Sequence, residues 1–293
     1  MPVDISIETK TEVLMEALPY IQEFKESIFV VKFGGSFMDT EIARVGVATD
    51  LVFLATVGIH VIVVHGGGPA INKAMEAAQI EPVWKNGLRF TDGQTVDIVE
   101  KTLNGEINLG VCENIQMRKG RPIAVKGQEL FRCERLDKDH DGNDVDLGFV
   151  GSINSVETSK LKKYLENGYM PIVSPIAKDK DGQVYNVNAD TAAAHLASAI
   201  GARRLVYLCD VPGLLRDPKD HDTLISSVSE AEVPSLREEG VIGSGMLPKV
   251  ESATRALSRG VHRVHLIDGR MPHSILLEIF TDKGVGTEIV HAT

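Results

Sequence analysis

Apolar positions along this chain change their period abruptly near residue 26. Upstream, Val13, Leu14, Ala17, Leu18, Ile21 and Phe24 recur at spacings of one, three and four, which predicts an amphipathic helix over residues 1–25, kinked where Pro19 interrupts the pattern. Such a helix packs on its own domain or buries its stripe against another subunit. Downstream, Ile28–Phe33 is a short β-branched run ending in Gly34-Gly35, and a helical pattern covers roughly 39–58. A second strand-like run at 61–64 ends in His65-Gly66-Gly67-Gly68-Pro69, with Pro69 suited to the first position of a helix through about Gln79. Residues 122–125, 170–175, 204–208 and 264–267 repeat the strand pattern, and 191–199 and 249–258 the helical one. Strands alternating with helices predict βαβ units and an α/β fold with a mainly parallel sheet. Two polar stretches, 130–146 and 178–187, read as hairpins inserted into that core.

The chain has 293 residues, of which 43% are hydrophobic and 25% charged, as expected for a folded protein with a substantial core. With 31 Lys and Arg against 41 Asp and Glu, the net charge of −10 argues against an extended nucleic-acid surface, which needs a basic face. It leaves small anionic ligands open. The cysteines Cys112, Cys133 and Cys209 are odd in number and widely spaced, which suits a reducing compartment and no disulfide scaffold. There is no apolar run of the ~18 residues that span a membrane, and acidic residues interrupt the N-terminus where a signal peptide would need an apolar stretch. A cytoplasmic location is expected.

Candidate chemistry clusters at the glycines. Lys32 stands inside the apolar run Val30-Val31-Lys32-Phe33. A buried ammonium needs an anion, and glycines at a strand's carboxyl end leave backbone N–H groups open where ligands bind in α/β sheets. A lysine snorkelling from an edge strand is the alternative. Gly66-Gly67-Gly68 would let a ligand approach the main chain closely beside a helix start that supplies N–H donors. A tight turn without a ligand would account for one such glycine, less easily for three. Gly243-Ser244-Gly245-Met246-Leu247-Pro248-Lys249 leads a second lysine into a helix. Asn186 and Asn188 alternate along an extended run and so share a side, and Asp190 opens an alanine-rich helix, as its N-cap or as a carboxylate that holds nearby ammonium groups.

Taken in order, VVKFGGS, VVHGGGP, GLRFTD at 87–92, DLGFVG at 146–151, YNVNADTAA, LCDVPGLL at 208–215, GSGMLPKVE and HLIDGR at 265–270 resemble the amino acid kinase family, and within it the N-acetylglutamate kinases. The likeness spans nearly all of residues 10–290, and the N-terminal helix and GVGTEIV ending resemble the long, arginine-inhibited branch. The resemblance implies a three-layer αβα sandwich with a mainly parallel central sheet. It also implies an N-terminal arm at 1–25, an amino-acid-substrate lobe at 26–200 and a nucleotide-binding lobe at 201–293 with an arginine site. The implied activity is transfer of the γ-phosphoryl of ATP, with Mg2+, to the side-chain carboxylate of N-acetyl-L-glutamate in arginine biosynthesis, inhibited by L-arginine. The implied assembly is a homo-oligomer, core-lobe dimers joined into a hexamer by the N-helix.

By motif, Lys32 and Lys249 match the pair that stabilises the transferring phosphoryl group, and Asp190 the carboxylate that positions them. Gly34, Gly35, Gly67, Gly68, Arg89 and Asn186 match contacts to the acyl-amino acid. Asp210, Gly213, Leu214, Leu215, Gly243 and Gly245 match the nucleotide side, and Tyr20, His265, Glu278 and Gly284 the arginine site. These roles suit the chemistry, because a carboxylate acceptor is already ionised at neutral pH and needs no general base. The protein's task is to bring two anions into line and neutralise charge on the equatorial oxygens. Arg89 offers a planar fork for a carboxylate. The chain shows no Asp cluster for a metal of its own, so Mg2+ is expected to be held by phosphate oxygens and water.

The chain departs from the family pattern at Ser36-Phe37, where many relatives have Asn-Ala, at Ser244, at Cys209 and at 124–128. Phe37 bears on the acceptor pocket, which leaves an aminoadipate-type acyl-amino acid as an alternative acceptor. A non-catalytic arginine sensor of the same fold is a third reading, and the presence of both lysines speaks against it. Residues 137–142 begin like a calcium loop, but Asp144 and Gly148 stand where it needs an aliphatic residue and a glutamate, so a solvated hairpin tip is expected. His195 reads as a packing residue and Trp84 as cover for the substrate region.

Overall fold

The computed structural model describes residues 6–34, 41–85, 87–138, 142–243 and 245–292. Helix α1 (Ile7–Phe24) opens on Ser6, whose hydroxyl accepts the Thr9 N–H at 3.1 Å, and it runs through Pro19 without ending there. Only its C-terminal turns are tied down: Phe24 is buried edge-on against Phe29, whereas Val13, Leu14 and Met15 are exposed.

Eight strands form the central sheet. From one edge these are β12 (Ser227–Ser229), β14 (Thr287–Val290), β13 (Arg263–Asp268), β11 (Arg204–Cys209), β1 (Ile28–Phe33), β2 (His60–His65), β8 (Met170–Val173) and β5 (Pro122–Val125). All neighbours are parallel except β13 and β14. Such strands are covered on both faces, which is why they read as continuous Val, Ile and Leu runs. Alternation still sorts their side chains. Phe29, Val31 and Phe33 face a layer made by α2 (Glu41–Thr56), α5 (Asn108–Gln116) and α10 (Ser274–Phe280). Val30 faces the opposite layer, made by α7 (Ala189–Ile200) and α9 (Leu247–Ser258). The period of two puts Lys32 on the same side as Val30. The result is the expected αβα sandwich.

A second sheet, in the order β10 (Val184–Asn186), β9 (Ile176–Lys178), β6 (Phe131–Arg135) and β7 (Gly151–Val156), covers the carboxyl end of β8 and β5. The 178–187 stretch is the β9–β10 hairpin, turning at Asp179–Gly182. The 130–146 stretch opens an antiparallel hairpin whose second strand lies beyond residue 146. It supplies β6 and a bridge between Lys138 and Asp144, and the partner strand β7 comes afterwards. Residues 139–141 of the calcium-like sequence lie outside the described residues. The run expected at 170–175 stops at Val173, because Ser174 turns its hydroxyl to accept the Gly127 N–H at 2.9 Å.

Helix α3 (Gly68–Ala77) begins with Pro69 in its first turn. A two-residue ribbon, β3 (Trp84–Lys85) with β4 (Leu88–Arg89), follows it. Helix α4 (Gly93–Lys101) then passes through a π-helical turn, Thr102–Ile107, into α5. Two short helices, α6 (Ser159–Glu166) and α8 (Val233–Glu238), complete the chain. The three cysteines are buried and free. Burial pushes their thiols up, to about 11 for Cys112 and about 12 for Cys133 and Cys209, which leaves them protonated and unreactive.

Candidate active site

Lys32 is not an edge-strand lysine. β1 lies inside the sheet between β11 and β2, and the Lys32 residue is only 6% exposed. Its Nζ reaches Asp190 Oδ1 at 2.6 Å. Lys249, in the first turn of α9, reaches Asp190 Oδ2 at 2.7 Å. One buried carboxylate therefore holds two ammonium groups. Burial alone would raise the Asp190 carboxyl, but Lys32 and Lys249 outweigh it and hold it below the ordinary carboxylate range. Lys249 is lowered by burial and raised more strongly by Asp190, so it stays charged.

Asp190 is not the N-cap of α7. Asn188 is, and its Oδ1 accepts the N–H groups of Asp190 and Thr191 at 2.9 and 3.0 Å. This frees the Asp190 carboxylate for the lysines. Tyr207, paired across the sheet with Lys32, donates its hydroxyl to the Asp190 carbonyl at 3.1 Å and fixes the start of the helix on the strand.

Beside the triad lies a cavity of about 300 Å³ lined by Lys32, Gly34, the glycines 66–68, Trp84, Arg89 and Asn186. Arg89 is 5% exposed and held from one side: one guanidinium nitrogen donates to Asn72 Oδ1 at 2.5 Å, and Trp84 stacks 4.6 Å from Cζ. It faces no carboxylate within ion-pair distance among the described residues, and burial lowers its pKa. Asn186 donates to Thr91 Oγ1 at 3.2 Å. Trp84 is part of the lining of this cavity. Gly35, Ser36 and Phe37 lie outside the described residues.

Of the nucleotide-side matches, Asp210 and Gly213–Leu215 follow the carboxyl end of β11. Asp210 follows that strand directly, and Gly213 adopts a φ of 153° that side chains rarely take, against Thr287. Leu214 and Leu215 are core residues rather than an open wall: the Leu214 N–H donates to Thr287 Oγ1 and Leu215 bridges Leu224. Gly243 begins the turn into α9, its carbonyl accepting the N–H groups of Met246 and Leu247. Nothing would obstruct a Cβ at Gly243 or Gly245. Among the described residues no group of three His, Cys, Asp or Glu side chains is placed to hold a metal ion.

Tyr20, His265, Glu278 and Gly284 all line one further cavity, of about 210 Å³, between the end of α1 and the β13–α10 edge. Glu278 accepts the N–H groups of Val285 and Gly286 at 2.7 and 2.9 Å and pairs with His265 Nδ1 at 2.7 Å. Burial raises its carboxyl, but these partners win and hold it low. Tyr20 donates to Asp282 at 2.5 Å, which pushes its phenol up to about 12. His195, on α7, lines neither cavity and faces Arg259, just past the end of α9; burial together with Arg259 and Arg255 pulls it down to about 4. Residues not anticipated from sequence are those behind the glycine loop. Asn72 and Met75 hold Arg89, and His65 and Asn108 hydrogen-bond each other beneath Gly66. Their contacts span 14–43 residues of chain, so no local pattern announces them.

Residues 27–268 match the amino acid kinase family. The chain is 43% identical over 288 residues to the acetylglutamate kinase of Thermosynechococcus vestitus, covering 98% of this chain and 96% of that one. It is 44% identical over 283 residues to the acetylglutamate kinase of Akkermansia muciniphila, covering 96% and 95%. Its fold superposes with a TM-score of 0.85 on N-acetylglutamate synthase from Neisseria gonorrhoeae complexed with coenzyme A and N-acetyl-glutamate, at 26% identity, covering 99% of this chain and 64% of that longer one. The carbamate kinase of Giardia lamblia, at 15% identity and a TM-score of 0.67, shares the fold. The chain belongs to the amino acid kinase family.

Proposed function

We propose that the protein transfers the γ-phosphoryl group of ATP to the side-chain carboxylate of N-acetyl-L-glutamate, forming an acyl phosphate. The observation that carries this reading is the Lys32–Asp190–Lys249 ion triad at the mouth of a glycine-lined cavity that also holds an arginine without a carboxylate partner among the described residues. Two fixed ammonium groups neutralise charge on the phosphoryl oxygens as the bond shifts, and Asp190 keeps them charged and in place without touching substrate. Arg89 takes the acceptor's α-carboxylate in its fork, and Asn186 takes its acyl-amide end. The backbone at Asp210 and Gly213–Leu215 and the turn at Gly243–Gly245 receive the nucleotide, and a Mg2+ ion arriving with it would help neutralise phosphate charge. The names of the two kinase relatives support this acceptor. In this reading residues 26–200 form the acceptor lobe and 201–293 the nucleotide lobe, in a cytoplasmic homo-oligomer whose subunits meet through the core lobes and the N-helix. ADP release should be fastest with N-acetylglutamate among N-acetylglutamate, glutamate, aspartate and N-acetyl-aminoadipate. A preference for the aminoadipate derivative would instead assign the paralogous reaction.

Arg89 gives a test of the acceptor pose. Arg89→Lys keeps the charge and loses the fork, so the KM for N-acetylglutamate should rise about tenfold or more while the KM for ATP stays within about twofold. Equal rises in both constants would contradict the pose.

The second cavity supports feedback inhibition by L-arginine. The buried Glu278 carboxylate suits a guanidinium, and Tyr20 brings the N-terminal helix to the same cavity. A solved structure of the gonococcal synthase, at 26% identity and a TM-score of 0.81, is a complex with L-arginine. Either Glu278→Gln or removal of residues 1–25 should raise the arginine concentration for half-inhibition about tenfold or more, because each removes a hydrogen bond to a charged group or the element that encloses it. Unchanged inhibition curves in both variants would remove the inhibitor from this cavity.

A further inference from the structure

We propose that His65 and Asn108 form a positioning pair that sets the direction of the Gly67 N–H and so aims a backbone donor into the acceptor cavity. This rests on the acceptor reading above and adds to it two residues that do not line the cavity. His65 is the last residue of β2 and is fully buried, with Asn108, equally buried, at the start of α5. Asn108 Nδ2 lies 2.9 Å from the Ile172 carbonyl and 3.2 Å from His65 Nε2, and His65 Nδ1 lies 3.0 Å from the Gly66 carbonyl.

These three contacts admit one consistent assignment of hydrogens. The Ile172 carbonyl accepts, so the amide nitrogen of Asn108 must face it. The same amide nitrogen donates to His65 Nε2, which is therefore the bare nitrogen. The imidazole proton must then sit on Nδ1, where it donates to the Gly66 carbonyl. Burial, which lowers the ring to about 4, keeps it neutral in this form.

The consequence for the cavity follows from peptide geometry. The Gly66 carbonyl and the Gly67 N–H belong to one planar trans unit and point opposite ways. Holding the carbonyl toward the buried ring turns the N–H toward the opposite side. The preceding peptide unit is anchored as well, because the Gly66 N–H donates to the Phe33 carbonyl at 2.8 Å. The Gly67 N–H finds no acceptor among the described residues, and Gly67 lines the cavity. Leu103, on the π-helical turn, packs so closely behind Gly67 that a Cβ there would lie 2.5 Å from Leu103 Cδ2. That turn also leads directly into Asn108, so one irregular segment both backs the loop and supplies the residue that fixes the tautomer.

The experiment combines ring 15N shifts with paired substitutions. In the wild-type chain, the His65 ring should show a protonated Nδ1 and a bare Nε2 that do not titrate across the neutral range. A protonated Nε2, or an imidazolium, would overturn the assignment. An asparagine side-chain amide occupies the place of the histidine Nδ1, whereas a glutamine amide reaches the place of Nε2. His65→Gln and Asn108→Leu should therefore raise the KM for N-acetylglutamate about tenfold, the loss expected from one misdirected hydrogen bond to a charged group, with the KM for ATP within about twofold. His65→Asn should stay clearly closer to wild type. If the glutamine variant is as active as the asparagine one, or if losses merely follow melting temperature, the positioning role is overturned. If the wild-type chain is inert toward N-acetylglutamate, the function above fails, and the ring shifts still confirm or overturn the pair on their own.

Discussion

Replacing Lys249 with alanine should lower turnover about 100-fold or more and leave a folded protein. The first half of that expectation comes from what the ammonium does. Charge that grows on the transferred group is met by donors fixed in advance, and removing one such donor costs on the order of 3 kcal/mol of transition-state stabilisation. The second half comes from the pairing. Without Lys249, Asp190 still faces Lys32 at 2.6 Å, so no buried carboxylate is left alone. Steady-state turnover at saturating substrates, with a melting curve on the same sample, checks both halves. Near-normal turnover would show that Lys249 does not act on the reacting group.

Asp190→Asn should be the more damaging change to the fold. It leaves two ammonium groups, both on largely buried side chains, without a counter-charge. Breaking a buried pair by removing one partner costs about 3–5 kcal/mol, well above the cost of truncating a surface ion pair. The lysines would also separate or lose protons, and turnover should fall with stability. The dependence on pH has a definite sign. The folded carboxyl titrates below its unfolded value, so its contribution is complete above about pH 4 and is lost only as pH falls through the depressed folded value. Denaturant unfolding at neutral pH should therefore separate wild type from variant widely, and the gap should narrow only in acid below that range. A variant as stable as wild type at neutral pH would mean that the triad is not the electrostatic centre of the site.

Much of this arrangement is legible in the sequence because it depends on short-range patterns. The strand runs ending in glycine, and Pro69 at the start of α3, mark the carboxyl edge of the sheet, and alternation along Ile28–Phe33 already puts Lys32 and Val30 on one side. The parts that are not legible depend on contacts between distant segments. That Asn188, not Asp190, caps α7 follows from one rotamer, since both residue types cap well. Strand β6 pairs with β7 across the polar tip, and the second strand lies outside the polar stretch that marks the hairpin. The π-helical turn carries no composition signal of its own. Leu214 and Leu215 match the nucleotide motif by position, yet their side chains fill the core, so a motif match identifies a backbone location more securely than a side-chain role.

In the proposed reaction a carboxylate, and the side-chain carboxylate of N-acetylglutamate in particular, accepts the phosphoryl group. The most direct measurement is product trapping. Purified protein is incubated with ATP, Mg2+ and N-acetyl-L-glutamate in the presence of hydroxylamine, which converts an acyl phosphate to a hydroxamate. ADP and the side-chain hydroxamate should form in equal amounts, and neither should form when N-acetylglutamate is omitted. ADP without hydroxamate, or no ADP with this acceptor, would contradict it.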